Sequence, residues 1–108
     1  MSDTAETQTT DPETTWNVDE QRYELRVGGD LAGWIDTRRG SDGDDEVLAL
    51  VHTEVLPEHQ GQGLSSPLIR AALDDAAAKD LTVAPLCPAV ERYLSRHDVP
   101  GLRVVDVG

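Results

Sequence analysis

His52-Thr53-Glu54-Val55-Leu56-Pro57-Glu58-His59-Gln60-Gly61-Gln62-Gly63-Leu64-Ser65-Ser66-Pro67-Leu68-Ile69-Arg70-Ala71-Ala72-Leu73 is the stretch on which the fold turns. An apolar strand pattern enters it, two glycines occupy its turn, and a helical pattern leaves it. From Leu68 the apolar positions Leu68, Ile69, Ala72, Leu73 and Ala76 form one stripe, with Arg70, Asp74, Asp75 and Lys79 on the other side. Gly61 and Gly63 lack a Cβ, so the backbone between them can take turn angles denied to other residues and approach a ligand closely. Free amides at a helix start carry partial positive charge, and a strand–turn–helix of this shape suits a phosphate. Two glycines before a helix also occur as a plain loop. The segment has neither the Gly-Lys-Ser/Thr of a P-loop nor a full dinucleotide fingerprint.

Upstream, Val47 to Val55 is almost continuously apolar, which predicts a central strand covered on both faces. Before it, Arg39 to Glu46 (Arg-Gly-Ser-Asp-Gly-Asp-Asp-Glu) reads as a solvated loop; its acids lack the spacing of a calcium loop. Tyr23, Leu25 and Val27 alternate with Arg22, Glu24 and Arg26, the pattern of a half-buried strand. Gly28-Gly29-Asp30 then turns the chain into a second strand over Leu31 to Thr37, with Leu31, Gly33 and Ile35 on one face and Ala32, Trp34 and Asp36 on the other. Downstream, the helix is expected to stop near Lys79-Asp80. Leu81 to Cys87 is a further strand, interrupted late by Pro85, and Pro88 opens a second helix through Val90, Tyr93 and Leu94. Val99 to Gly108 allows a short strand or a packed tail. The expected fold class is α+β, with a mixed, mainly antiparallel sheet: three antiparallel strands, helix, strand, helix. The strand–helix–strand crossover makes the last strand parallel to the third.

Met1 to Thr15 is rich in Thr, Asp and Glu, has no base, and has no large apolar residue after Met1. Such a segment buries too little to offset the cost of ordering it, so residues 1–18 are expected to be a disordered acidic tail and 19–108 one domain. The polar, acidic N-terminus does not have the basic-then-apolar order of a signal peptide. No run approaches the roughly 18 apolar residues of a membrane span. A single cysteine excludes an internal disulfide and fits a reducing, cytoplasmic compartment.

The chain carries 21 acidic against nine basic residues, a net charge of −12. That balance argues against nucleic-acid binding, and it opposes any anionic ligand unless local dipoles or arginines overcome the field. Eight of the nine bases are Arg and only Lys79 is lysine. Dense acid with little lysine resembles proteins of salt-loaded cytoplasms, where a Debye length of about 3 Å at 1 M screens self-repulsion. An acidic tail with one acidic loop accounts for much of the same count.

Gln60, Gly61, Gln62, Gly63 and Leu64, followed by Ser65, match the Gln/Arg-x-x-Gly-x-Gly/Ala signature of the GNAT superfamily of acyl-CoA-dependent N-acetyltransferases. Together with His52-Thr53-Glu54-Val55 before the turn, and Leu86-Cys87-Pro88, Val90, Tyr93-Leu94 and Arg96-His97 after it, the chain resembles the small single-domain branch of that superfamily over about Tyr23 to Asp98. The resemblance implies acetyl-CoA as cosubstrate and an amine acceptor, either a small molecule or a protein lysine. It places backbone of Thr53, Val55 and Leu56 against the amide-like arm of CoA, and amides of Gln60, Gly61, Gln62, Gly63, Leu64, Ser65 and Ser66 at the diphosphate. It implies Cys87 near the thioester as a candidate catalytic residue, either accepting the acetyl group or assisting direct attack by an amine.

Alternatives stand beside each role. Cys87 reads equally as a small buried core residue, and His52 as a core histidine with a satisfied nitrogen. Glu54 reads as a proton acceptor for the amine or as an exposed strand acid. His97 reads as a cation at a helix end. Arg70, Arg92 and Arg96 are candidates for the ligand's remaining phosphate or for solvated helix faces. Two departures from the pattern bear on the turn: Ser65 stands where glycine is usual, and Pro67 lacks an amide, which predicts a later helix start with Ser65 as its cap. Ala89 replaces an aromatic residue and implies a more open site beside Cys87. The helices that precede the central strands in larger acetyltransferases are missing here, which implies an exposed acceptor site and a bulky acceptor. The competing readings are a CoA-binding module without catalysis and a protein-interaction domain.

Overall fold

The structure is a computed structural model, and it describes residues 12–105. Among these the order is β1 (Glu13–Asn17), β2 (Arg22–Val27), β3 (Asp30–Asp42), β4 (Asp45–Val55), a single 3-10 turn (Pro57–His59), α1 (Ser65–Ala78), β5 (Thr82–Pro85), α2 (Pro88–Arg96) and β6 (Arg103–Val104). The six strands form one sheet in sequence order. β1 to β4 are antiparallel neighbours. β5 runs parallel to β4, and β6 parallel to β5. The class is α+β with a mixed, mostly antiparallel sheet, as the patterning predicts.

The core lies between one sheet face and the helices. Tyr23, Leu25, Ile35, Leu48, Leu50 and Val83 of the sheet meet Leu68, Ile69, Ala72, Leu73 and Ala76 of α1 and Val90 of α2. Every member of the α1 stripe is buried. Tyr23 Oη donates to Asp75 Oδ2 at 2.7 Å and ties β2 to α1. Burial first, then this bond and the Asp75 charge, push the phenol well above its ordinary value. The end of α1 is fixed by Leu81 N–H donating to Ala76 C=O and Asp80 N–H to Ala77 C=O, the Schellman pattern, with Asp80 at φ +58 in the place glycine usually takes.

Three expectations need correction. Residues 13–17, read as part of the acidic tail, form β1: Trp16 packs against Tyr23 with ring centres 4.9 Å apart and the rings tilted by 58°, and lies opposite it in the ladder. Of the rest of the expected tail, residues 1–11 lie outside the described residues. Arg39 to Glu46 is not a loop, since β3 and β4 continue through it to a two-residue turn at Gly43-Asp44, and Arg39 pairs with Glu46 across the ladder. β4 is not covered on both faces either. Leu48 and Leu50 are buried, whereas Val47, Ala49 and Val51 on the opposite face are only half-buried.

That opposite face is held by charge. Glu24 is only 4% exposed and accepts from Arg22 Nε at 2.8 Å, Arg26 Nη1 at 2.9 Å and Asn17 Nδ2 at 2.9 Å. Burial raises its carboxyl, but the two guanidiniums and the amide outweigh that and bring it down to about 2. A depressed carboxyl stabilises the fold above the ordinary carboxylate range, and this contribution is lost as pH falls toward 2.

Two register shifts shape the site. One lies between Leu25 and Arg26 of β2, where Ala32 of β3 is the extra residue and is fully buried. The other lies between Asp36 and Thr37 of β3 and makes Val51 the extra residue of β4. Before this bulge the inward residues are Leu48 and Leu50. After it Thr53 lies opposite Ile35, on the core face, while His52 and Glu54 turn to the other face with Asp36 and Trp34. Gly33 leaves no room for a side chain between β3 and β4: a Cβ there would meet Glu54 O at 2.5 Å.

Candidate functional site

The site forms where β4 and β5 part. They pair from Val47–Thr82 to Leu50–Pro85. Pro85 has no amide with which to continue the ladder, and Leu86 and Cys87 both donate their N–H to Leu50 C=O, at 3.1 and 3.0 Å. Pro88 then opens α2, with Cys87 as its N-cap. β4 meanwhile runs on through Val55 with β3 as its only ladder partner among the described residues.

The backbone groups that face this gap follow from one hydrogen bond. Leu56 N–H donates to Ala32 C=O of β3 at 2.8 Å. Across the planar trans peptide, Val55 C=O points the opposite way. Alternation along the strand therefore turns the N–H and C=O of Thr53 and Val55 into the gap. Gln60 Nε2 already donates to Val55 C=O at 2.9 Å and the Thr53 N–H is turned toward the Cys87 sulfur, which leaves Thr53 C=O and Val55 N–H facing a missing strand. Leu56 faces away from the gap with its amide.

The glycine turn continues from this strand. Gly61 and Gly63 have φ +82 and +69 with open space where a Cβ would stand. Backbone conformation, not crowding, is what requires glycine there. Gln60 leaves the set of free amides, because its N–H donates to Pro57 C=O at 3.3 Å. Leu64 is buried and anchors the turn in the core. α1 starts at Ser65 with Leu64, not Ser65, at the N-cap, and no side chain caps it. The first intrahelical bond of that turn runs from Leu68 N–H to Leu64 C=O, so Pro67 falls where an amide has no helical partner and its missing N–H costs nothing. Ser65 and Ser66 thus offer amides outward beside Gly61, Gln62 and Gly63.

Cys87 sits on the core side of the gap and is 5% exposed. Its Sγ lies 3.3 Å from Thr53 Oγ1, the thiol donating to the hydroxyl. Burial raises the thiol, yet the Thr53 hydroxyl and the amides of Val90, Ala89 and Thr53 outweigh burial and hold it below its ordinary value. The hydroxyl can rotate to donate once the sulfur is a thiolate.

The three side chains weighed as catalytic candidates, Cys87, His52 and Glu54, are split. His52 Nε2 and Glu54 Oε1 are 3.0 Å apart on the opposite sheet face from Cys87, one residue either side of Thr53. His52 is exposed, so its reading as a core histidine does not hold. Thr53, expected only for its backbone, supplies the side chain that touches the cysteine. No local sequence pattern marks this role, because it follows from the bulge at Val51. His97 follows the end of α2 and stacks on Tyr93 at 4.2 Å.

The strand order and the parted strands are the architecture of the superfamily that the sequence resembles. The chain belongs to the GCN5-related N-acetyl-transferase family, whose model matches residues 22–100. A solved structure of ribosomal-protein-alanine N-acetyltransferase from Brucella melitensis biovar Abortus 2308 has the same fold, with a TM-score of 0.56 at 21% identity. The match covers 72% of this chain and 61% of that one, so the chain spans less than two thirds of that protein's length. Among the described residues no helix is long and apolar enough to cross a membrane.

Proposed function

We propose that the domain transfers an acetyl group from acetyl-CoA to an amine. The observation that carries this is the gap beside Cys87: strand-edge groups of Thr53 and Val55 face it, and it continues into the turn at Gly61 to Ser66. In this reading the amide-bearing arm of acetyl-CoA completes the sheet at Thr53 and Val55, as a strand would. Amides of Gly61, Gln62, Gly63, Leu64, Ser65 and Ser66 receive the diphosphate. The Val55 carbonyl, already engaged by Gln60, takes a smaller part than the sequence alone suggests.

The environment of Cys87 supports acceptance of the acetyl group by its sulfur. The thiolate attacks the thioester carbonyl; the new S–C bond forms as the CoA C–S bond breaks and CoA leaves as its thiolate. The amides that favour the thiolate are also donors for the developing oxyanion. An amine approaching from the open face then attacks the acetyl carbon, and Cys87 leaves as thiolate. His52 and Glu54, paired on that face, take the amine's protons. The acceptor class follows from the same face: acid there and an open approach suit a cationic amine such as a protein lysine. A free thiol at the centre suits a reducing cytosol.

Cys87→Ala is expected to keep acetyl-CoA binding, measured by thermal stabilisation, and to lower release of CoA thiol with an amine panel by about 100-fold. Full turnover in that variant removes sulfur acetylation from the mechanism. Absence of both stabilisation and turnover in the unaltered chain overturns the function.

A further inference from the structure

β1 is the outer strand on its side of the sheet, and among the described residues nothing pairs with its other edge. Which of its backbone groups are free follows from a bond one strand away. Thr37 N–H of β3 donates to Gln21 C=O at 3.1 Å. Across the planar trans peptide the Arg22 N–H points the other way, toward β1. Alternation then pairs Arg22, Glu24 and Arg26 through the backbone with Asn17, Thr15 and Glu13. The N–H and C=O groups of Thr14 and Trp16 are left facing outward.

Sheet edges are commonly blunted by lysine, proline or a bulge. β1 has none of these over its five residues: its pairing with β2 runs without a register shift, and its one charge is Glu13. Beside the open edge lies a cavity of about 470 Å³ walled by Thr14, Trp16, Tyr23, Ala71, Asp74 and Asp75. Thr14 and Trp16 share the sheet face that meets this cavity. A strand added at their free groups therefore places every second side chain over it.

Charge decides what that side chain is. Asp75 Oδ2 already accepts from Tyr23 Oη at 2.7 Å and Lys79 Nζ at 2.9 Å. The same Nζ lies 5.9 Å from the centre of the Trp16 ring, so the indole face already takes a cation. Asp74 holds Arg70 Nε at 3.1 Å in a pair exposed on both sides, a kind that contributes little. A carboxylate has about four lone-pair sites, which leaves Asp74 room for a second cation. A second copy of the chain does not bring one, because β1 contains no base. Residues 1–11 do not either, since they carry Asp3, Glu6 and Asp11 and no base.

We propose that the free edge of β1 docks an extended basic segment of a partner protein, which adds to the sheet at Thr14 and Trp16 and lays an arginine or lysine between the Trp16 ring and Asp74. β2 and β3 separate this edge from β4, so the docking holds or fails apart from the acetyl-CoA reading.

The test is titration of the full chain, followed by amide NMR, with a short capped peptide alternating Arg and Val, in which the arginines share one face. Shifts are expected at the Thr14 and Trp16 amides and at the Trp16 indole. The same peptide N-methylated throughout keeps its charge but cannot pair as a strand, and is expected to bind about tenfold or more weakly, as is the peptide with Glu in place of Arg. Thr14→Pro removes a donor that β2 does not use, and Asp74→Asn removes an exposed charge; each is expected to weaken the Arg peptide by about fivefold with the melting temperature unchanged. Equal binding of the N-methylated peptide overturns strand addition and leaves only attraction to an acidic surface. Equal binding of the Glu peptide overturns the basic class of partner. No binding of the Arg peptide, or shifts confined to other residues, overturns the docking site itself. Concentration-dependent dimerisation that Thr14→Pro abolishes also overturns it, because a second copy then occupies the edge.

Discussion

Val47–Leu50 and Val51–Val55 are two halves of one strand, and they have different neighbours. The first half has β3 on one side and β5 on the other, with Leu48 and Leu50 buried under the helices. The second half keeps β3 but loses β5, because Pro85 and Pro88 bracket Cys87 and turn the chain from strand to helix. In the first half the strand has a ladder neighbour on both sides. In the second, backbone groups are left facing a gap, where the proposed reading adds the amide-bearing arm of the ligand. Ending a neighbouring strand early leaves such groups exposed at no cost in side chains. The bulge at Val51 then decides what lines the site, since it brings Thr53 to the inner face beside Cys87 and sends His52 and Glu54 to the outer one.

The comparison can be broken at three places. Leu50→Ala, in the paired half, removes a fully buried side chain and is expected to cost about 3 kcal/mol in urea unfolding. A loss below about 1 kcal/mol would show that the paired half does not carry the fold in the way its burial implies. Gly33→Ala forces a Cβ against the Glu54 carbonyl of the parted half; about 2 kcal/mol is expected, with β3 displaced from β4 at that point. If that variant unfolds like the unaltered chain, the close approach is not a constraint on the site. Thr53→Val keeps shape and removes the hydroxyl, so stability should change by roughly 1 kcal/mol or less. Its effect should appear in chemistry instead. Taking away a group that lowers the Cys87 thiol raises it, so the pH dependence of alkylation by iodoacetamide moves to higher pH. An unmoved profile would separate Thr53 from the reactivity of the cysteine.

What the sequence made legible was local. Gly28-Gly29, with φ +59 and +89, turns the β2–β3 hairpin where the dipeptide predicts it. The five apolar positions of α1 are all buried, and Pro88 stands at the start of α2. What escaped depends on partners distant in the chain. β1 is mostly polar and becomes a strand because β2 offers an edge and Tyr23 offers a surface for Trp16. Arg39 to Glu46 has the composition of a loop, yet cross-strand pairing carries it as ladder almost to its turn. The division of Cys87 from His52 and Glu54 rests on a single extra residue at Val51. Alternation read along the sequence cannot reveal it, because the shift exists only relative to β3.

Lys79, the only lysine of the chain, gives one further consequence. Its Nζ lies 2.9 Å from Asp75 Oδ2 and 5.9 Å from the centre of the Trp16 ring, held at the far end of α1 from the glycine turn. On the proposed reading, a domain that handles an activated acetyl group carries a single lysine amine within this sequence, and that one is ion-paired. Self-labelling at lysine is restricted to one position, so acetyl appearing on any added protein can be assigned to transfer with almost no background from the catalyst.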